Sequence, residues 1–168
     1  MHFVTSSLFI STIIKTLKST SSQIRLLKAY FAVVLSWYIA HGRPSLDLRK
    51  FFANPQSLVA SPPGPARTYH GVPLANPWHE IMQATLMHPD DHLAKLQRAL
   101  AAHAVHLGQT PKRTFINVPE LEGVEEIDGT LFLRSAVLTM DRLGWVFDVE
   151  KTKNGFPVWD RHGFFDEA

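Results

Sequence analysis

The chain has 168 residues, 45% of them apolar and 19% charged, a balance typical of a globular protein rather than of a disordered one. It contains no cysteine, which excludes disulfide frameworks, thiolate metal sites and cysteine nucleophiles, and favours a cytoplasmic location. A net charge of +2 gives no argument for binding nucleic acid.

The first part of the sequence predicts two helices. Residues 4–17 suit a helix, although their Thr, Ile and Val content also permits a strand. A stronger helix is predicted for residues 23–40, whose apolar side chains cover nearly every face and therefore indicate burial on all sides. Its most apolar part is about 12 residues long, and a bilayer span needs about 20, so no membrane span is expected. Gly42 ends this helix, and Ser45 is placed to cap a short one that follows.

A proline-rich segment, residues 54–77, has no helical period and predicts a long surface loop. Such a loop serves as a linker, a lid or a wall of a binding site. Pro77 then begins a helix whose inward face includes Trp78, Ile81 and Leu86.

The next helix is the most informative part of the chain because it is rich in histidine. It is predicted to have Pro89 in its first turn, Asp90 and Asp91 at the positive end of its dipole, and Gly108 as its stop. Four of the nine histidines are predicted to share one side of it: His88, His92, His103 and His106.

Histidine titrates near neutral pH, so these rings are candidates for proton transfer, substrate binding or metal ligation. The alternative is that they are half-buried polar groups satisfied by hydrogen bonds. His92 and His103 are separated by about 16 Å along a helix, so they cannot share one ion. No HExxH or Glu-x-x-His motif occurs, and we therefore predict no metal site.

Other polar residues also have two interpretations. His2 lies beside the hydroxyls of residues 5–7, and this cluster needs partners or a ligand if the apolar run around it is buried. Arg43 follows a helix C-terminus, where a cation is favourable in itself but can also recognise an anionic group. Trp78 either lines an aromatic pocket or packs in the core.

The last part of the chain predicts a polar connection at residues 112–123 and a helix capped by Asp128 and ended by Gly144. Asn154–Gly155 then signals a small C-terminal hairpin. The predicted class is mainly α, a multi-helical bundle-like fragment forming a single domain over residues 1–168. Because the sequence enters an apolar run at once, we expect it to be the C-terminal part of a longer protein.

Several segments together resemble one family. They are residues 2–7 (HFVTSS), 25–31 (RLLKAYF), 41–47 (HGRPSLD), 88–100 (HPDDHLAKLQRAL), 120–123 (ELEG), 128–132 (DGTLF) and 161–165 (RHGFF). In this order they resemble the C-terminal portion of the questin oxidase-like family, fungal Baeyer–Villiger-type oxidases of polyketide biosynthesis. The resemblance runs over nearly the whole chain.

The resemblance implies a monooxygenase-type oxidoreductase of secondary metabolism. Such an enzyme inserts one oxygen atom beside the carbonyl of an aromatic polyketide ketone, using NADPH and O₂; whether a flavin takes part is unknown. The alternative function is a truncated, non-catalytic helical module that binds a partner chain. The partner would be a second copy of the chain or a missing N-terminal half.

This chemistry needs a group that handles a proton and a group that stabilises an oxyanion. The predicted catalytic residues are His88, His92 and His2. The predicted substrate-binding residues are Arg43 for an oxyanion or phenolate, Trp78 for stacking on a flat ring system, and His103.

Overall fold

A computed structural model describes residues 1–59, 68–69, 72–73, 76–118 and 120–146 of the chain. The predicted hairpin at Asn154–Gly155 lies outside these residues, as do residues 60–67, 70–71 and 74–75 of the predicted proline-rich loop.

The described chain is mainly α-helical, which confirms the predicted class. Its helices are α1 (His2–Thr16), α2 (Thr20–Ala40), α3 (Leu48–Ala53), α4 (Pro77–Met87), α5 (Asp91–Leu107) and α6 (Leu131–Leu143). Two 3₁₀ turns lie at Pro55–Leu58 and Val124–Glu126, and the short strands β1 (Thr68–Tyr69) and β2 (Val72–Pro73) pair antiparallel.

The chain forms two compact units. Of the described residues, the first unit contains Met1–Leu46 and the second contains those from Asp47 to Val146. The prediction of a single domain over residues 1–168 stays a prediction.

The described part of the first unit is an antiparallel hairpin of α1 and α2. The hydroxyl of Tyr30 donates a hydrogen bond to the carbonyl oxygen of Phe3 at 2.5 Å, and the two rings meet edge to face. At the other end the amide of Gln23 donates to the carbonyls of Ile14 and Leu17, which fixes the tip of the hairpin. No residue of either helix is buried. The prediction that α2 is buried on all sides is therefore wrong, because α1 covers one stripe of α2 and leaves its other faces exposed.

Two residues with positive φ end α2, as the predicted stop at Gly42 requires. Gly42 has φ of 81° and Arg43 has φ of 52°, and the Arg43 N–H donates to the carbonyl of Tyr38. The short helix α3 is capped by Asp47, which accepts a hydrogen bond from the N–H of Lys50. The prediction that Ser45 caps it is wrong, because the carboxylate directly before the first helical residue takes that role.

The hydrophobic core of the second unit lies between α4, α5 and α6. Its fully buried apolar residues on these helices are Ile81, Ala84, Leu93, Ala99, Ala136, Val137 and Met140. The start of α4 at Pro77 is confirmed. Leu86, predicted to face inward, is 83% exposed, because it lies about 140° around the helix from Ile81.

A buried arginine joins α6 to the 3₁₀ turn at Pro55–Leu58. Arg134 is 7% exposed and donates hydrogen bonds to the carbonyl of Asn54 at 2.6 Å and to the hydroxyl of Ser57 at 2.7 Å. Its Nε donates to the hydroxyl of Thr130, and its guanidinium lies over the ring of Phe52 at 5.4 Å. Arg134 therefore ties three parts of the second unit together.

Helix α6 begins two residues later than an Asp128 cap would place it. Thr130 is the N-cap residue, and Asp128 accepts hydrogen bonds from both the N–H and the hydroxyl of Thr130. The prediction that Asp128 is the cap residue is therefore wrong, although its carboxylate still supports the helix start. Gly129, between them, approaches the backbone of Gly108 so closely that a Cβ on Gly129 would overlap the Gly108 carbonyl. The predicted stop at Gly144 is confirmed, with φ of 99°.

Candidate functional site

His88 lies before α5, between the last turn of α4 and the cap of α5. The prediction of four histidines on one helix is therefore wrong, and α5 has three. His88 is only 9% exposed. The N–H of Asp90 donates to its Nδ1, so its proton is on Nε2, which donates to the carbonyl of Leu143 at 3.1 Å.

These two hydrogen bonds give His88 a structural role. They connect the α4–α5 junction to the end of α6, and they satisfy both nitrogens of a buried ring. Proton transfer through His88 would require one of them to break. Its catalytic role stays a prediction.

His92, in the first turn of α5, is bonded to a buried carboxylate. Its Nδ1 donates to Oδ1 of Asp90 at 2.9 Å and lies 3.2 Å from Oδ1 of Asp91. The Asp90 side chain is 5% exposed, whereas the His92 side chain is 44% exposed. The same oxygen of Asp90 accepts the backbone N–H of His92 at 2.8 Å, which is the capping bond of α5. Asp90 is the residue before the helix, so the prediction that Pro89 lies in its first turn is wrong.

This geometry makes His92 the best-placed proton acceptor of the predicted histidines. A carboxylate on Nδ1 holds the proton there, which leaves the lone pair on Nε2. Nε2 has no hydrogen-bond partner among the described residues, and the ring is accessible to solvent. His92 can therefore accept a proton from a bound molecule or give one to it.

The neighbouring Asp91 is engaged by a lysine one turn along the helix. Nζ of Lys95 donates to Oδ2 of Asp91 at 2.5 Å, and this bond lowers the pKa of the Asp91 carboxyl below its usual 3.8. Asp90, Asp91 and His92 each offer a metal-ligand atom, and the three atoms lie within 4.8 Å of one another. Asp90 accepts two hydrogen bonds from His92, so the helix cap explains why these side chains lie close together. Our prediction of no metal site stays a prediction.

The other predicted residues of the second unit lie away from this pair. The ring of His103 stacks on Phe132, with centroids 5.6 Å apart and planes at 26°. It is 11 residues from His92, or about 16 Å along α5. Trp78 is half-buried in the first turn of α4, where its backbone N–H donates to the side-chain oxygen of Asn76. The structure brings together His88 and His92, which both bond to Asp90, and does not bring His103 to them.

His2 and Arg43 belong to the first unit and lie at the same end of its hairpin, where α1 begins and α2 has ended. Both are exposed. The hydroxyls near His2 need no ligand, because those of Thr5, Ser6 and Ser7 each donate to the carbonyl three residues earlier.

Sequence reasoning missed Asp90 as part of the site and interpreted it only through the helix dipole. The signal is an aspartate at an N-cap position with a histidine two residues later, a spacing that lets one carboxylate reach both the backbone and the ring.

A comparison with known protein families matches residues 1–100 to the family described as questin oxidase-like. The chain belongs to the questin oxidase-like family. The match includes His88, Asp90 and His92, and it supports an oxidoreductase-type family. No curated protein and no solved structure matches the chain significantly.

Two further predictions for this questin oxidase-like chain concern a membrane span and NADPH. Among the described helices, none has both the length and the apolar character needed to cross a bilayer. The implied NADPH carries phosphates, which bind to uncapped helix N-termini and to unpaired cations. The N-termini of α3 and α5 are capped by Asp47 and Asp90. Arg49, Lys95 and Lys112 are paired with carboxylates. The N-termini of α1, α2 and α6, by contrast, have no side-chain cap, and Arg43 and Arg98 are exposed. The use of NADPH therefore stays a prediction.

Proposed function

We propose that this chain carries out the oxygen insertion implied by its family, with His92 as its proton-handling group. The substrate class is an aromatic polyketide ketone, and the product is the corresponding ester or lactone. The balanced reaction joins the ketone with O₂, NADPH and a proton and yields the ester, water and NADP⁺. The observation that supports the proposal is the Asp90–His92 pair, which lies inside the part of the chain that matches the family.

The part assigned to His92 follows from its two nitrogens. Polyketide aromatics carry phenolic hydroxyls beside their ketones, and Nε2 of His92 accepts a proton from such a hydroxyl. The charged ring that results is stabilised by the Asp90 carboxylate on Nδ1. The same ring then returns the proton to the oxygen that develops negative charge.

The step assigned to His92 does not depend on chemistry at the other predicted residues. The catalytic parts of His88 and His2 and the substrate contacts of Arg43, Trp78 and His103 stay predictions. NADPH would supply the two electrons of the reaction, and no step is derived through it.

The test is turnover of an anthraquinone by the purified chain with NADPH and O₂. Product formation is followed by mass spectrometry as the gain of one oxygen atom, and NADPH consumption by absorbance. We expect turnover with the native sequence and a loss of about 10²-fold or more in His92→Gln, the range for a positioned general acid–base.

The matched control is His106→Gln, which changes an exposed histidine in the last turn of the same helix and leaves the rate unchanged. Helical circular dichroism must be the same in all three proteins. An absence of oxygen insertion by the native chain contradicts the proposed reaction. An unchanged rate in His92→Gln contradicts the part assigned to this ring.

A further inference from the structure

Three hydrogen bonds in succession connect the end of α6 to the ring of His92. The carbonyl oxygen of Leu143 accepts from Nε2 of His88 at 3.1 Å, and Nδ1 of His88 accepts from the backbone N–H of Asp90 at 3.1 Å. The Asp90 carboxylate then accepts from Nδ1 of His92 at 2.9 Å. The residue that orients the proton-handling ring is therefore itself held by His88.

The bond between Asp90 and His88 restricts the backbone that carries the carboxylate. Asp90 is the N-cap residue of α5, with φ of −88° and ψ of 113°, and its side chain accepts both the N–H and the ring N–H of His92. A change in φ of Asp90 would turn its side chain relative to its own N–H, which Nδ1 of His88 holds in place. Pro89, between the two residues, has φ fixed at about −65° by its ring. The turn from His88 to Asp90 therefore has little freedom.

Burial distinguishes the group that is fixed from the group that is oriented. His88 is 9% exposed and Asp90 is 7% exposed, whereas the His92 side chain is 44% exposed. A buried ring loses free energy if either of its bonds breaks, because no water replaces the lost partner. An exposed ring can exchange its partners for water, so the direction and tautomer of His92 depend on the carboxylate that holds its Nδ1.

We propose that His88 is a positioning residue for His92 and acts through Asp90. Its Nδ1 holds the Asp90 backbone in the conformation from which the carboxylate keeps the proton of His92 on Nδ1 and the lone pair on Nε2. Its Nε2 anchors the junction to α6 and has no part in orienting His92. In this role His88 keeps its own proton throughout and touches no reacting atom. The inference depends on the proposed function, in which His92 handles the proton.

Two amide substitutions separate the two nitrogens of His88. In His88→Asn the side-chain oxygen lies where Nδ1 does and can accept the N–H of Asp90, but the bond to Leu143 is lost. In His88→Gln the side-chain nitrogen lies where Nε2 does and can donate to Leu143, but the acceptor for Asp90 is lost. Each variant therefore removes one bond and serves as the control for the other.

Nitrogen-15 NMR of the imidazoles gives the first readout and needs no substrate. We expect the neutral ring of His92 to keep its proton on Nδ1 in the native chain and in His88→Asn, and to shift it toward Nε2 in His88→Gln. The exposed ring of His106, in the last turn of α5, is the internal control and should give the same spectrum in all three proteins. Urea denaturation should show a lower midpoint in both variants, since each loses a buried hydrogen bond. A role in stability alone would therefore not single out His88→Gln.

Turnover of an anthraquinone with NADPH and O₂ gives the second readout. We expect kcat to fall about 10- to 100-fold in His88→Gln, the range for a misplaced catalytic group, and to stay within about threefold of the native value in His88→Asn. KM should change little in either variant, because His88 does not contact the substrate in this proposal.

A third measurement uses the native chain and does not depend on any variant folding. A nitrogen–nitrogen coupling across the hydrogen bond from the Asp90 N–H to Nδ1 of His88 reports this bond directly, and we expect to observe it. The absence of this coupling would overturn the proposal. So would a His92 tautomer that is the same in all three proteins, or that changes equally in His88→Asn and His88→Gln.

The kinetic result is equally decisive. Equal kcat values in the two variants would overturn the link between the position of the ring and the reaction. A native chain without turnover contradicts the proposed function instead, and the NMR comparison still decides whether His88 positions the ring of His92.

Discussion

The ring of His92 donates a hydrogen bond from Nδ1 to the buried carboxylate of Asp90, two residues earlier in the chain, at 2.9 Å. The same carboxylate oxygen accepts the backbone N–H of His92 at 2.8 Å. One side chain therefore both begins α5 and orients the imidazole that we assign to proton handling. The orientation of the ring and the start of the helix are set by the same group.

Replacing Asp90 by serine separates these two effects. Serine is also a good N-cap, so we expect Asp90→Ser to keep the stability of α5 to within about 1 kcal/mol, but its hydroxyl is too short to hold the ring. The proton of the neutral His92 ring should then move from Nδ1 toward Nε2. Nitrogen-15 NMR of the imidazole measures this tautomer directly and needs no substrate.

The control for this experiment is Asp90→Ala, which removes both the cap and the ring contact and should destabilise the chain by about 1 kcal/mol more than Asp90→Ser. If the ring of His92 keeps its proton on Nδ1 in both variants, Asp90 does not set its tautomer.

The sequence made part of this site predictable. It indicated that Asp90 and His92 lie at the start of a helix, because aspartate before an apolar period is an N-terminal signal. It did not show that the ring turns back onto the carboxylate, because that depends on a side-chain rotamer. It also placed His88 on the helix, and the structure instead buries it in the junction, where a bond to Leu143 fixes it.

The second prediction concerns His88. His88→Asn should keep the local turn, since the asparagine side-chain oxygen can accept the N–H of Asp90 as Nδ1 does. It loses the bond to the carbonyl of Leu143, so we expect a loss of about 1–2 kcal/mol in the free energy of unfolding. Urea denaturation measures this loss. His88→Ala should cost more, because it removes both bonds and leaves a cavity.

The third prediction is a dependence of stability on pH. Lys95 lowers the pKa of Asp91 in the folded chain, so the unfolded chain binds a proton there more tightly. The stabilising effect of Asp91 is therefore complete above the unfolded pKa near 3.8 and is lost as the pH falls below it.

Thermal melting between neutral and acidic pH checks this effect. Asp91→Asn should lower the melting temperature slightly at neutral pH and should show a smaller further decrease on acidification than the native sequence. High salt should weaken the difference, because both side chains are exposed. Equal pH profiles for the two proteins would mean that the ion pair makes no contribution.

The fourth prediction concerns Arg134. Arg134→Met should destabilise the second unit by about 2–4 kcal/mol, because it removes the two hydrogen bonds that the buried guanidinium donates to the hydroxyl of Ser57 and the carbonyl of Asn54. Arg134→Lys should restore only part of this, since an ammonium cannot match the directions of the guanidinium. The matched control is Arg98→Met, an exposed arginine on α5, which should change stability by less than about 0.5 kcal/mol.

The helices themselves were more predictable than their surroundings. Pro77, Gly108 and Gly144 mark helix boundaries through local backbone chemistry, and the structure has boundaries there. The exposure of α2 was not predictable, because an all-apolar helix gives no sign of which of its faces a neighbour covers. The hydrogen bonds of Arg134 were equally hidden, since two of its partners are about 80 residues away in the sequence.

The contact between Gly108 and Gly129 has a consequence for how this chain can change. The backbone of Gly108, just after α5, contacts the backbone of Gly129, just before α6, with no side chain between them. The N–H of Gly129 also donates to the carbonyl of Thr110 at 2.8 Å. The loop between these two points is therefore closed at its base by backbone contacts. Residues inserted in the exposed turn at 112–117 would lengthen this loop without changing how α5 and α6 pack against each other.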